Sequence, residues 1–252
     1  MVFFSVLYNP GENAIHNIAL AAHNGFKPIV YLNNVDENFY HRLLAYDPVI
    51  LGSNLNVGLG KAFYEFENYL EINAESHYVY FDQDTKTTDS VWKTILQNVC
   101  LFSDHWNAGL VFFGSKREPF SDIVISSGCM FSSDVMRRVG KHCPSYFVEG
   151  VDYDYCLRLN AAGLKIYNIY CPDIDHHSLQ DGKDTKILDM SFSYRIYGSR
   201  RLKDFNSSHF KLIKKSLING QGGFFLFFIK SLILFNIVEH ASRLLQRIKP
   251  CS

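Results

Sequence analysis

The feature that most constrains this chain is a series of short apolar runs that do not alternate. Val2–Tyr8, Pro28–Leu32, Tyr78–Phe81, Leu110–Phe113 and Ile123–Ser126 are rich in β-branched and aromatic residues. Continuous hydrophobicity of this kind belongs to strands covered on both faces. Helical patterns lie between them. Ala62, Phe63, Phe66, Tyr69 and Leu70 share one face over 61–72, and Val91, Ile95, Val99 and Phe102 do so over 88–102. Strand then helix, repeated, predicts an α/β fold with a Rossmann-type, mostly parallel sheet flanked by helices. Ligands of such sheets bind beyond the carboxyl ends of the strands, which directs attention to the residues just past Tyr78–Phe81.

Those residues are Asp82-Gln83-Asp84. In extended chain, residues two apart point the same way, so the two carboxylates can face one ligand while Gln83 turns aside. Hard oxygen donors suit Mn2+ or Mg2+, which complete their shells with phosphate oxygens and water. The alternative is that both aspartates cap a helix starting near Thr88.

Charge excludes one class of partner. Twenty-five basic residues balance twenty-five acidic ones, so no basic surface is expected for nucleic acid. Six cysteines without a C-x-x-C pair predict neither a zinc site nor a disulfide scaffold, but reduced thiols in a cytoplasmic protein. The opening MVFFSVLYNP has no basic region or small-residue cleavage site, and reads as a first strand rather than a signal peptide.

A resemblance becomes specific further on, in DIVISSGCMFSSDVMRRVG (122–140) and SYFVEGVDYDYCLRLNAAGLKIYNIYCPDIDHH (145–177). Together with YNPGE (8–12), NLNVGLGKAF (54–63) and FDQDT (81–85), these segments resemble, in order, the family-two glycosyltransferases of GT-A fold. The S-S-G-C and V-D-x-[DE]-aromatic-x-L-R wording is similar to that of the bacterial rhamnosyltransferase branch. The likeness covers roughly residues 3 to 201, and ordered motifs weigh more than any one alone. Asp82, Asp84 and Thr87 also resemble the opening of haloacid-dehalogenase-type phosphatases. That reading needs an early strand and a nearby cap insertion, whereas three strand-helix units precede the pair and NVGLGK would go unexplained.

The glycosyltransferase resemblance implies a nucleotide-sugar donor bound by Tyr8, Asn9 and Glu12 at the end of the first strand, with Asn34 and Asn56 nearby, though turn chemistry accounts for such asparagines too. It implies that Gly58 and Gly60 let backbone approach phosphate and that Lys61 pairs with the diphosphate; a solvated lysine is the alternative. Ser127 and Gly128 would open a loop beside the sugar, and Arg200 would belong to a late arginine-rich donor segment or to a solvated helix face. One of His176 and His177 would join Asp82 and Asp84 at the metal, the spacing leaving open which. The family usually has Asn where this chain has Tyr64, Ala where it has Gly60, and Glu where it has Val151.

For the base, Asp152 and Asp154 lie about 200° apart if 152–162 is helical. Asp154 stands four residues before Arg158, an ion-pair spacing. Asp152 sits at the helix entrance, where the family places its base, although an N-terminal cap is the alternative. The expectation is an inverting transferase that moves L-rhamnose from dTDP-rhamnose, or another hexose such as galactofuranose from a UDP-sugar, to a glycan or lipid-linked acceptor.

The chain is expected to divide into a GT-A domain over 1–205 and a helical region over 206–252. In the latter, Phe224–Val238 is apolar apart from Lys230, Ser231 and Asn236 and has basic residues on both sides. Crossing a bilayer takes about 20 apolar residues, so this run is expected to lie on the inner face of the cell membrane, with a buried core helix as the alternative.

Overall fold

The computed structural model describes residues 1–176, 183–187, 190–194 and 197–248. The chain divides into two compact units, Met1–His177 and Ser178–Ser252. Residue 205, where the sequence reading divides it, falls inside a helix of the second unit.

In the first unit β1 (Val2–Tyr8), α1 (Glu12–His23), β2 (Lys27–Asn34), α2 (Glu37–Leu43), β3 (Val49–Leu51), α3 (Leu59–Ile72) and β4 (His77–Tyr80) alternate as the periodicity predicts. Then come β5 (Thr85–Lys86), α4 (Asp89–Gln97), α5 (Leu101–Asp104), β6 (Ala108–Gly114), β7 (Phe120–Ser121), β8 (Cys129–Ser132), α6 (Ser133–Val139), α7 (Val151–Ala161), β9 (Lys165–Tyr170) and β10 (Asp175–His176). The main sheet has the order β3-β2-β1-β4-β8-β6-β9-β7. Strands β1 to β4 pair in parallel, as do β6 and β9, while β8 runs antiparallel between β4 and β6 and β7 antiparallel on β9.

The absence of alternation has a direct cause. Phe3 meets Trp92 of α4 edge-on at 5.1 Å on one side of the sheet, and Phe4 stacks on Phe66 of α3 at 3.7 Å on the other. Successive side chains of β1 therefore enter two cores, and six of its seven residues are buried.

Two sequence expectations are corrected. Ile123–Ser126 is not a strand; the strand is β8, which begins after a turn closed by Cys129 N–H donating to Ser126 O, with Gly128 at φ +85°. Ser126 bonds to the Asp152 carboxylate and Ser127 to the Asp82 backbone N–H instead of joining a ladder. The helix expected over 88–102 ends at Gln97 and resumes as α5, because Asn98 donates its side chain to Thr94 O and closes the first segment.

The second unit holds a hairpin of β11 (Lys183–Ile187) and β12 (Met190–Tyr194), then α8 (Ser199–Ile218) and α9 (Gly222–Ile248). The helices pack through a Phe205–Phe235 ring stack at 4.0 Å, and Asn236 donates to Asn206 Oδ1. Glu239 is buried, accepting from Tyr197 N–H and paired with Arg243. Leu226, Phe227, Ile233, Leu234 and Ile237 leave the opposite face of α9 exposed and apolar. The apolar stretch is longer than Phe224–Val238: Gly222–Arg243, 22 residues, is long and apolar enough to cross a membrane.

Candidate functional site

Asp82-Gln83-Asp84 comes directly after β4 at the carboxyl edge of the sheet. Gln83 does turn aside, and its amide is a clip: Oε1 accepts from Tyr8 N–H at 2.7 Å and Nε2 donates to Tyr8 O at 2.7 Å. This reproduces a strand-like pair of bonds beyond the end of β1 and fixes the aspartate loop to it. The Tyr80 hydroxyl donates to Asp82 Oδ1 at 2.5 Å.

His176 reaches the same edge by strand pairing. In the two-stranded β5–β10 sheet, His176 stands opposite Thr85. Donor atoms of Asp82, Asp84 and His176 all lie within 4.8 Å of one another, and His176 Nε2 is 4.0 Å from Asp82 Oδ2. His177 lies outside the described residues. Two carboxylates and an imidazole fit a divalent cation. Burial pushes the Asp82 carboxyl up to about 6, with Asp152 and Asp84 adding to the rise against Tyr80 and His176. A cation would relieve that crowding of negative charge.

Asp152 lies close enough to the aspartate pair to act on the Asp82 carboxyl. It is the second residue of α7, whose cap is Gly150, and its carboxylate does not cap the helix: Oδ1 accepts from the Ser126 hydroxyl. Burial raises its pKa, and the Ser126 hydroxyl and backbone N–H hold it down. Asp154 points elsewhere, buried in an ion pair with Arg158 at 2.9 Å, and Arg158 donates onward to the Val139 and Gly140 carbonyls.

The neighbouring Ser127 bonds to the aspartate loop. Its Oγ accepts from Asp82 N–H at 3.0 Å and lies 2.7 Å from Thr85 Oγ1. Two consecutive hydroxyls thus join the aspartate pair to Asp152, as the period-two geometry of extended chain allows.

The fold has counterparts among solved structures. No protein-family model matches the chain, and no curated protein matches it. Among solved structures, S. aureus TarS 1–349 in complex with UDP-GlcNAc is similar over 86% of this chain and 67% of that one, with TM-score 0.55 and 11% identity. S. aureus TarS (TM-score 0.49, 11% identity) and HddC from Yersinia pseudotuberculosis (0.43, 12%) each align over 68% of this chain and over 37% and 91% of their own. The chain spans 37% of the length of TarS and 60% of TarS 1–349 without ligand. The fold is GT-A-like: a mostly parallel sheet flanked by helices.

The remaining predicted residues sort by what they touch. Asn9 and Asn34, both at positive φ, close the ends of β1 and β2 on each other: Asn9 N–H donates to Asn34 O, and Asn34 Nδ2 to Asn9 Oδ1. Asn56 Oδ1 accepts from Asn33 Nδ2 and Gly58 N–H. These asparagines shape the loops around Tyr8, whose side chain is exposed. Glu12 is exposed and bidentate with Arg42, which holds its carboxyl below the usual range. Lys61 pairs with Glu65 at 3.6 Å. Arg200 stands in the second unit, exposed in the first turn of α8.

Gly58 and Gly60 permit a close approach, but by protein. A Cβ on Gly58, at φ +84°, would overlap the Phe147 carbonyl and ring; one on Gly60 would overlap the Tyr146 and Cys143 carbonyls. The segment before α7 therefore lies directly on the start of α3. Glu67 of α3 adds a buried hold, accepting from His142 N–H at 2.6 Å and from the Tyr78 hydroxyl at 2.9 Å. Thr87, which the phosphatase resemblance would use, bonds instead to Asn17 and Trp92. Sequence reasoning missed Thr85, Ser126 and the Glu67–His142 pair; the only visible signal was a hydroxyl-rich wording around each aspartate.

Proposed function

We propose that the chain is a glycosyltransferase in which Asp152 takes the proton of an acceptor hydroxyl as its oxygen displaces a nucleoside diphosphate from the anomeric carbon of a donor sugar. The observation that carries this is the Ser126–Ser127 strut, which joins Asp152 to the loop of Asp82 and Asp84. The new C–O bond forms as the old one to phosphate breaks, the leaving diphosphate keeps the electron pair, and a single displacement inverts the carbon. Asp82, Asp84 and His176 would hold Mn2+ or Mg2+, whose charge would stabilise the departing diphosphate. One general base then suffices.

Branch resemblance supports dTDP-rhamnose as donor. A UDP-sugar is the alternative, UDP-GlcNAc being what the similar TarS structure contains. The test is a donor panel with Mn2+, monitoring release of nucleoside diphosphate with and without lipid extract. EDTA should abolish release and Mn2+ or Mg2+ restore it. Phosphate-ester hydrolysis without transfer would overturn the reading.

In the same reading the acceptor is a growing, lipid-linked glycan, and the second unit associates with the inner face of the cell membrane. Its support is the exposed apolar face of α9 and the basic residues Lys211, Lys214 and Lys215 on α8.

A further inference from the structure

Thr85 is fully buried, yet its hydroxyl stands between two polar side chains. Its backbone is fixed: Thr85 N–H donates to Asp82 O, and Thr85 O accepts from Asn17 Nδ2 at 2.6 Å. Its Oγ1 has one proton and two neighbours, Ser127 Oγ at 2.7 Å and His176 Nδ1 at 2.8 Å. At the far end, Ser127 Oγ already accepts from Asp82 N–H.

Two arrangements of protons make these contacts with a neutral imidazole and also give the buried Thr85 proton an acceptor. In the first, Ser127 donates to Thr85 and Thr85 donates to His176 Nδ1, which leaves the imidazole proton on Nε2. In the second, His176 Nδ1–H donates to Thr85, and Thr85 donates to Ser127, whose oxygen then accepts twice. Nε2 is the nitrogen turned toward Asp82. Of these two, the second, with the imidazole proton on Nδ1, leaves the Nε2 lone pair free there.

We propose that Thr85 is a positioning residue: its hydroxyl accepts the Nδ1 proton of His176 and thereby presents Nε2 to a divalent cation held with Asp82 and Asp84. The inference rests on the metal reading of those three residues. Partners of this kind on a ligating histidine's second nitrogen fix its tautomer and typically affect metal affinity by about 10- to 100-fold. In this arrangement the Ser127 proton is directed at neither Asp82 N nor Thr85, and is available to an oxygen of whatever binds beside the metal.

The test uses the full chain and metal alone. Mn2+ binding is read from loss of the free-ion EPR signal, and the His176 tautomer from ring 15N shifts with Mg2+, the resonances being assigned by their loss in His176→Ala. The wild type should bind Mn2+ and show Nδ1–H. Thr85→Val, nearly isosteric and checked for folding by its melting curve, should weaken Mn2+ about 10-fold or more, whereas Thr85→Ser should restore binding to within a few-fold. Wild-type-like Mn2+ affinity in Thr85→Val, or Nε2–H on His176 in the Mg2+-loaded wild type, overturns the relay while the metal reading stands. If the wild type takes up no Mn2+ and Asp84→Ala behaves identically, both fall together. The tautomer measurement needs no variant at Thr85, so a folding failure there leaves the test intact.

Discussion

The Ser126 hydroxyl donates to Asp152 Oδ1, joining a turn before β8 to the first turn of α7. The bond stabilises the ionised carboxylate that burial disfavours. Burial outweighs the bond, so Asp152 titrates above an ordinary aspartate, and transfer should rise with pH along an acid limb displaced upward from 3.8. Ser126→Ala removes a donor to the charged form and should move that limb to still higher pH. A pH profile of kcat/KM for both proteins checks the order.

Asp152→Asn keeps the shape and loses the proton acceptor. Turnover should fall by about 100-fold or more while donor affinity changes little, measured by single-turnover rates and donor titration. Asp154→Asn should act mainly on stability, costing about 3 kcal/mol, because it leaves Arg158 charged and without its carboxylate partner. Denaturant unfolding separates the two effects.

Asp82 gives the metal-free protein a pH dependence of opposite sense to acid denaturation. Between pH 3.8 and about 6 the folded chain keeps a proton on Asp82 that the unfolded chain has released. Stability contributed by this group therefore declines as pH rises through that window. Melting curves of the EDTA-treated wild type and of Asp82→Asn should diverge there, the variant lacking the decline.

Gly60→Ala should destabilise by about 2 kcal/mol, since the added methyl has carbonyl oxygens rather than movable side-chain ends as neighbours. The midpoint of urea unfolding reports it. Alanine, common at this place in the glycosyltransferases that the sequence resembles, does not fit here because the 143–147 segment occupies the space.

Substituting Leu226, Ile233 and Ile237 together by Glu should abolish pelleting with anionic liposomes and leave the fold intact, because all three are at least half exposed. Co-sedimentation and circular dichroism check both parts.

How much of this was legible depends on the range of each interaction. The sequence reading places β1 at its observed bounds, because covering on both faces leaves an unbroken apolar run that turn residues terminate. Asp152 and Asp154 separate as helical geometry dictates, and the Arg158 pairing is local, four residues away. Ile123–Ser126 carries the composition of a strand, but Ser126 and Ser127 bond across to Asp152 and Asp82, contacts that local composition does not encode. His176 reaches the aspartates through a two-residue strand paired with Thr85, 91 residues earlier. So short a strand leaves no periodicity. Gly58 and Gly60 signal close approach by something; only the packed chain identifies the Phe147 segment as the partner.

The Glu67–His142 hold has a consequence for how the protein opens. Glu67 belongs to the strand-helix repeats that carry the aspartate pair, and His142 to the segment leading into Asp152, 75 residues later. With both side chains fully buried, neither segment can detach without stranding a polar group away from water. The two parts of the first unit should therefore unfold as one cooperative block, and amides of α3 and α7 should exchange with solvent at a common, global rate rather than in separate steps.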